Sequence, residues 1–182
     1  MAKIPKSKII KTPVFTRPSI LLHPNIPKPM HGMNPRSILG KEWWDIERKK
    51  ASEKNNNCCY ACGVHRSEAK YHPWLEGHES YVINYVKGSM RLREIVSLCH
   101  ACHNFIHSGR LKALFDAGEI SLVKYRTIKN HGKDLIKGFG TIEKPKYMQQ
   151  DWSKWHLIID GKKYYSKFKN VVEWSKYYGS DS

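Results

Sequence analysis

The stretch Leu98–His107 reads L-C-H-A-C-H-N-F-I-H. It holds a Cys-x-x-Cys pair, Cys99 and Cys102, followed directly by His103 and one helical turn later by His107. A second pair, Cys59 and Cys62, lies upstream in C-C-Y-A-C-G. Zinc takes four soft or borderline ligands in a tetrahedron, and each knuckle of this spacing supplies two thiolates. The expected ligands of a structural zinc are therefore Cys59, Cys62, Cys99 and Cys102. Cys58 is the surplus residue; it could replace Cys59, but the spacing favours Cys59 and leaves Cys58 as a packed thiol. His65 beside the first knuckle reads as a surface histidine. With the sulfur set complete, His103 and His107 are in excess. At i and i+4 they share one helical face, which suits a second, harder divalent ion.

A third partner for those histidines is sought between the knuckles, in W-L-E-G-H-E, Trp74 to Glu79. Tyr71 to Tyr85 is rich in strand formers and reads as extended. On such a strand Glu76 and His78 share one face and Glu79 takes the other. Ile95 to Leu98 runs into the second knuckle. A short helix is predicted from His100 to His107, broken by Ser108-Gly109. Two more follow, Arg110–Ala117 and Ser121–Lys137. Upstream, Ser37 to Lys54 has helical apolar spacing, with Trp43 and Trp44 as core anchors. Downstream, Asp160-Gly161 between two strand-like runs is a hairpin signal, and Val171 to Tyr178 reads as a short helix. The pattern is that of an α+β chain in three parts. Residues 1–37 are an extended basic, Pro-rich arm. Residues 38–137 are a core with flanking helices. Residues 138–182 are a linker with a small hairpin and helix, expected to dock on the core or to order on DNA.

The chain of 182 residues carries a formal net charge of +16. Residues 1–57 contribute 12 basic and 4 acidic residues, residues 58–109 contribute 5 and 4, and residues 110–182 contribute 15 and 8. The Cys/His segment is thus nearly neutral and its flanks are basic. Such a charge implies a polyanionic partner, most simply nucleic acid, bound through phosphate neutralisation. Arg91, Arg93 and Arg110 flank the motif closely enough to clamp a phosphate backbone. Four of five cysteines in Cys-x-x-Cys pairs favour metal over disulfides. Neither a signal peptide nor an apolar run of membrane-spanning length is evident, so a cytoplasmic location is expected, in a bacterium or phage.

These residues together resemble the HNH nuclease family, in its zinc-ribbon variant with two Cys-x-x-Cys knuckles. The resemblance covers about Cys58 to Gly109 and rests on C-Y-A-C-G, W-L-E-G-H-E and V-S-L-C-H-A-C-H-N-F-I-H, in that order. It implies a small ββα-metal core stapled by a four-cysteine zinc site. It implies a metal-dependent DNA endonuclease of restriction or homing type, acting on double-stranded DNA. Zn²⁺ would be structural, and Mg²⁺ or another divalent cation catalytic, held by His103 and His107. A palindromic target would call for a homodimer.

Two departures from the family pattern matter. Its first motif often contains adjacent histidines, where this chain has His78-Glu79. Either His78 is the general base and an acidic neighbour helps with metal, or His78 binds metal and Glu79 is the base. A histidine is the better base near neutral pH, which favours the first. The usual central Asn is replaced by Glu94, counting back from Leu98-Cys99, and Asn84 lies earlier. Glu94 could orient the loop or bind metal. The alternative reading is a catalytically inactive, zinc-stabilised nucleic-acid-binding protein.

Overall fold

A computed structural model describes residues 10–140 and 150–179. The first nine residues of the arm, and linker residues 141–149, lie outside the described residues.

Asn34 is extended, accepts a hydrogen bond from Ser37 N and is reached in turn by the Ser37 side chain. This reciprocal cap starts helix α1, Pro35–Lys54, slightly earlier than the apolar spacing predicts. Pro35 suits the first helical position because no N–H is needed there. The helix bends at Gly40, whose φ of 89° is non-helical. It packs on strand β1, Glu76–Asn84. The contact is close at Gly77, where a Cβ would stand 3.0 Å from Trp44 and from Arg48.

The extended stretch expected from Tyr71 becomes a strand only at Glu76. Tyr71 has a φ of 85°, and the chain bends through Trp74 before the sheet begins. β1 pairs antiparallel with β2, Ser89–Leu98, placing His78 opposite Val96 and Glu79 opposite Ile95, with a register shift at Ser80/Tyr81. The Asn84 side chain accepts from Lys87 N and closes the turn.

Helix α2, His100–Ile106, follows β2 directly. Ser108-Gly109 does not break the chain's helical run as expected: helix α3 spans Ser108–Asp116, and the break falls at His107, with φ −83° and ψ 49°. Ser108 and Gly109 therefore form α3's first turn. Helix α4, Leu122–Leu135, is capped by Ser121 and lies against α2. A Cβ on Gly132 would fall 2.1 Å from the Phe105 ring, so glycine permits this approach.

The C-terminal hairpin forms as expected: β3, His156–Ile159, and β4, Lys162–Tyr165. Asp160 and Gly161 have φ of 47° and 79°, the positive values a tight two-residue turn requires. β3 joins β2 in parallel along Ser89–Arg91, giving one mixed four-stranded sheet of order β1-β2-β3-β4. The long helical crossover between β2 and β3 makes a parallel pairing possible. Trp155 and Leu157 are fully buried beside Met30 and Met90. Helix α5, Val171–Tyr178, closes the described chain, with Trp174 buried.

From residue 10 the arm lies on this core. Leu21 and Met30 are buried, and Phe15 N donates to the side chain of buried Asn55. Among the described residues, no helix is long and apolar enough to cross a membrane.

Candidate metal centre

The first knuckle closes on itself through Cys59 N to Val64 O and Gly63 N to Cys59 O, both 2.9 Å. Gly63 makes the turn at a φ of 77°. Tyr60 N then donates to Ser97 O at 2.8 Å, fastening this knuckle to the end of β2, where the second begins. Cys99 is extended, and its carbonyl accepts from His103 N at the start of α2. The result is a group of four sulfurs, Cys59, Cys62, Cys99 and Cys102. Cys62 Sγ and Cys99 Sγ are 3.7 Å apart. Thiolates about 2.3 Å from a tetrahedral zinc stand about 3.8 Å from one another. The group is consistent with a zinc site. Cys58 is separate, its Sγ directed at the carbonyls of Lys11 and Asn56.

Four thiols this close cannot all ionise without a cation. Hydrogen bonding with Cys59 and Cys62 pushes the Cys102 thiol far up. Burial pushes the Cys59 thiol up too, but hydrogen bonds from Cys102 and Cys62 override it and carry it well down. His131 of α4 stands over the group, Nε2 3.4 Å from Cys102 Sγ. Its pKa is raised, chiefly by hydrogen bonding to Cys99. Spacing along the chain carried no signal for His131.

His78, His103 and His107 form a second group. His78 projects from β1 towards α2, and its ring centroid lies 5.5 Å from His103 and 4.9 Å from His107. His78 is buried, yet neither ring nitrogen has a hydrogen-bond partner. Burial, then the neighbouring His23, His107 and His103, hold it down to about 2, so the ring is neutral. Burial likewise holds His107 down to about 4. Buried, neutral, unpartnered imidazoles are the form in which histidine ligates a metal. An all-imidazole set suits a transition cation such as Mn²⁺, Ni²⁺ or Zn²⁺ better than Mg²⁺.

Glu76 and Glu79 flank this group on opposite faces of β1. Glu76 Oε2 is 2.7 Å from His103 Nδ1, a contact too far out of line for a hydrogen bond. Burial works against the Glu76 carboxylate, but His103 and His100 outweigh it and bring it down to about 2. Glu79 goes the other way: burial raises its pKa. A cavity of about 470 Å³ at the free edge of β1 is lined by His23, His78, Glu79, Tyr81 and His107 among others. His23, on the arm, places its ring 4.9 Å from His78 and leaves a buried nitrogen without a partner. Reading residues 1–37 as an arm gave no reason to single it out.

Glu94 is not brought to the histidines. Its carboxylate is gripped by Arg17 in a two-pronged pair of 2.8 and 2.9 Å. Arg93 lies next to it, exposed, and Arg91 is exposed on β2. Arg110 on α3 stands near enough to His107 to lower its pKa. No protein-family model, curated protein or solved structure matches this chain.

Proposed function

We propose that the protein is a metal-dependent endonuclease that hydrolyses phosphodiester bonds in DNA. The observation that carries this is the convergence of His78, His103 and His107 into one group of ligand atoms, beside a cavity that His78, His107 and Glu79 line. A divalent cation held there would stabilise the charge that develops on the phosphate and the leaving oxygen. His78, His103 and His107 are its ligands. Glu79 is the general base: it lines the same cavity, burial raises its proton affinity, and His78 is taken up as a ligand. This exchanges the two roles favoured from the sequence. Arg110 and the basic flanks hold the DNA backbone, and the zinc on the four cysteines fixes where α2 begins.

The test is nicking of supercoiled plasmid with Mg²⁺, Mn²⁺ or Ni²⁺, and with EDTA. Activity should appear with a transition cation and vanish with chelator. His78→Ala should lose both cation binding and nicking. Glu79→Gln should bind the cation yet cut roughly 10²–10⁴-fold more slowly. Plasmid that shifts in a gel but is never nicked with any metal would sink the reading.

One observation favours a second reading, a zinc-stabilised nucleic-acid-binding protein without catalysis. Glu94, where the family resemblance places a central Asn, is held by Arg17 and does not face the histidines.

A further inference from the structure

A third group of donors, His72, Glu76 and His100, lies beside the three-histidine group, and His72 and His100 have no part in the nuclease reading. Its atoms are unusually close. His72 Nε2 is 3.1 Å from Glu76 Oε1 and 3.1 Å from His100 Nδ1, and His100 Nδ1 is 2.9 Å from the same oxygen.

The protons in this triangle can be counted. His72 Nδ1 is 3.0 Å from Trp74 O, and a carbonyl only accepts, so that nitrogen carries a proton. In a neutral ring His72 Nε2 then holds a lone pair, pointing at a carboxylate oxygen and at another ring nitrogen. A single proton on His100 Nδ1 must then be shared between the Glu76 carboxylate and His72 Nε2, while the Asn104 amide, 3.3 Å away, turns a further donor towards that same Nδ1. Something positive belongs at the centre: a second proton on His72, or a metal ion.

Separations of about 3 Å are also those of ordinary hydrogen bonds, but a closed triangle of three such edges fits a shared cation as well. Ligand atoms about 2.1 Å from an ion and at right angles stand about 3.0 Å apart, whereas a tetrahedral site would spread them to about 3.4 Å. The three observed edges, 2.9, 3.1 and 3.1 Å, match one face of an octahedron. The ligand that needs most help is also pre-set. The His72 ring is stacked on Trp74 at 3.9 Å and 3° between planes, and the Trp74 carbonyl fixes the tautomer that frees Nε2. The opposite corners of the octahedron are left to water or to a ligand, since all three side chains are partly exposed.

We propose that His72, Glu76 and His100 form a second divalent-cation site, a two-histidine, one-carboxylate face selective for a transition cation such as Mn²⁺, Fe²⁺ or Co²⁺. Its carboxylate is shared. Oε1 serves this site, while Oε2 rests 2.7 Å from His103 Nδ1. Filling the site thus fixes the group against which His103 leans, so the two histidine groups bind cations with coupled affinities.

Equilibrium dialysis of the zinc-loaded, full-length protein against Mn²⁺, with metal counted by mass spectrometry, tests the site without any nuclease assay. The unsubstituted protein should take up a second manganese beyond the one lost in His78→Ala. His72→Ala should lose that second ion while keeping its zinc and its far-ultraviolet circular dichroism. Crystals of the unsubstituted protein soaked in Mn²⁺ should carry an anomalous peak bonded to all three side chains, a result independent of any variant's folding. Uptake unchanged in folded His72→Ala, or no peak at this position, would overturn the proposal. A protein that never nicks DNA but loads this site would overturn only the nuclease reading.

Discussion

The sulfur group and the histidine groups share one junction, where β2 runs into α2, yet they are assembled in different ways. Each pair of cysteines is positioned by its own knuckle, and one backbone hydrogen bond, Tyr60 N to Ser97 O, brings the two knuckles together. The histidines come from distant parts of the chain: His78 from a strand, His103 and His107 from the end of a short helix, His72 from a bent segment and His23 from the arm. The electrostatics differ as well. Packed thiolates repel one another and need a cation to coexist. Imidazoles can be buried neutral, at the cost of unsatisfied nitrogens. The sulfur group is therefore part of the fold, and the histidine groups are mounted on it.

The largest expected effect breaks that contrast directly. Zinc bound by such a site contributes on the order of 10–16 kcal/mol at neutral pH, much of it folding free energy. Cys99→Ser should therefore lose zinc and lose cooperative thermal unfolding, read by metal content and circular dichroism. His103→Ala should keep its zinc and melt within a few degrees of the parent. A Cys99→Ser protein that stays folded and zinc-loaded would show that the sulfur group is as dispensable as the histidines.

The same contrast explains how much was legible in the sequence. Cys59, Cys62, Cys99 and Cys102 announce themselves because local spacing sets the geometry. His103 and His107 follow because helical periodicity puts them on one face. The hairpin at Asp160-Gly161 is legible because few residues tolerate two successive positive φ values. His78 was legible as a site residue, with base and ligand both open. Its burial with both nitrogens unpartnered, which no spacing reveals, is what supports the proposed ligand reading. His72, His100 and His131 were missed because their partners are set by tertiary contacts. The parallel pairing of β3 with β2 was missed for the same reason: nothing in a short hairpin's sequence says which strand it will join.

A smaller effect should come from the interface that seats α2. Gly132→Ala gains about 1 kcal/mol of helix propensity. The new methyl, however, would meet the Phe105 ring at 2.1 Å. Overpacking of this kind costs typically about 1–3 kcal/mol. A net loss of stability is expected, recovered in part by adding Phe105→Leu. Because α2 carries both Cys102 and His103, the variant should disturb both groups together. A Gly132→Ala protein more stable than the parent would mean that α4 stands off from α2.

The smallest effect concerns the arm that delivers His23. Arg17 and Glu94 tie the arm to β2, with side chains 35% and 22% exposed, so solvent screens the pair and its contribution is about 1 kcal/mol. Burial alone would push Glu94 up, but the Arg17 guanidinium overrides it and holds the carboxyl below its ordinary value. A carboxylate with a depressed pKa stabilises the fold above its unfolded value, about 4.3, and loses that stabilisation as pH falls through the folded value. Glu94→Gln mimics the protonated state at every pH. Its Tm should sit roughly 2–4 °C below the parent at neutral pH. The gap should hold down to about pH 5 and close only below about pH 4, where the parent's own carboxyl takes up its proton. A gap that closed near pH 6 would show that a group other than the Glu94 carboxyl sets it, and would remove the Arg17–Glu94 pair as the arm's anchor.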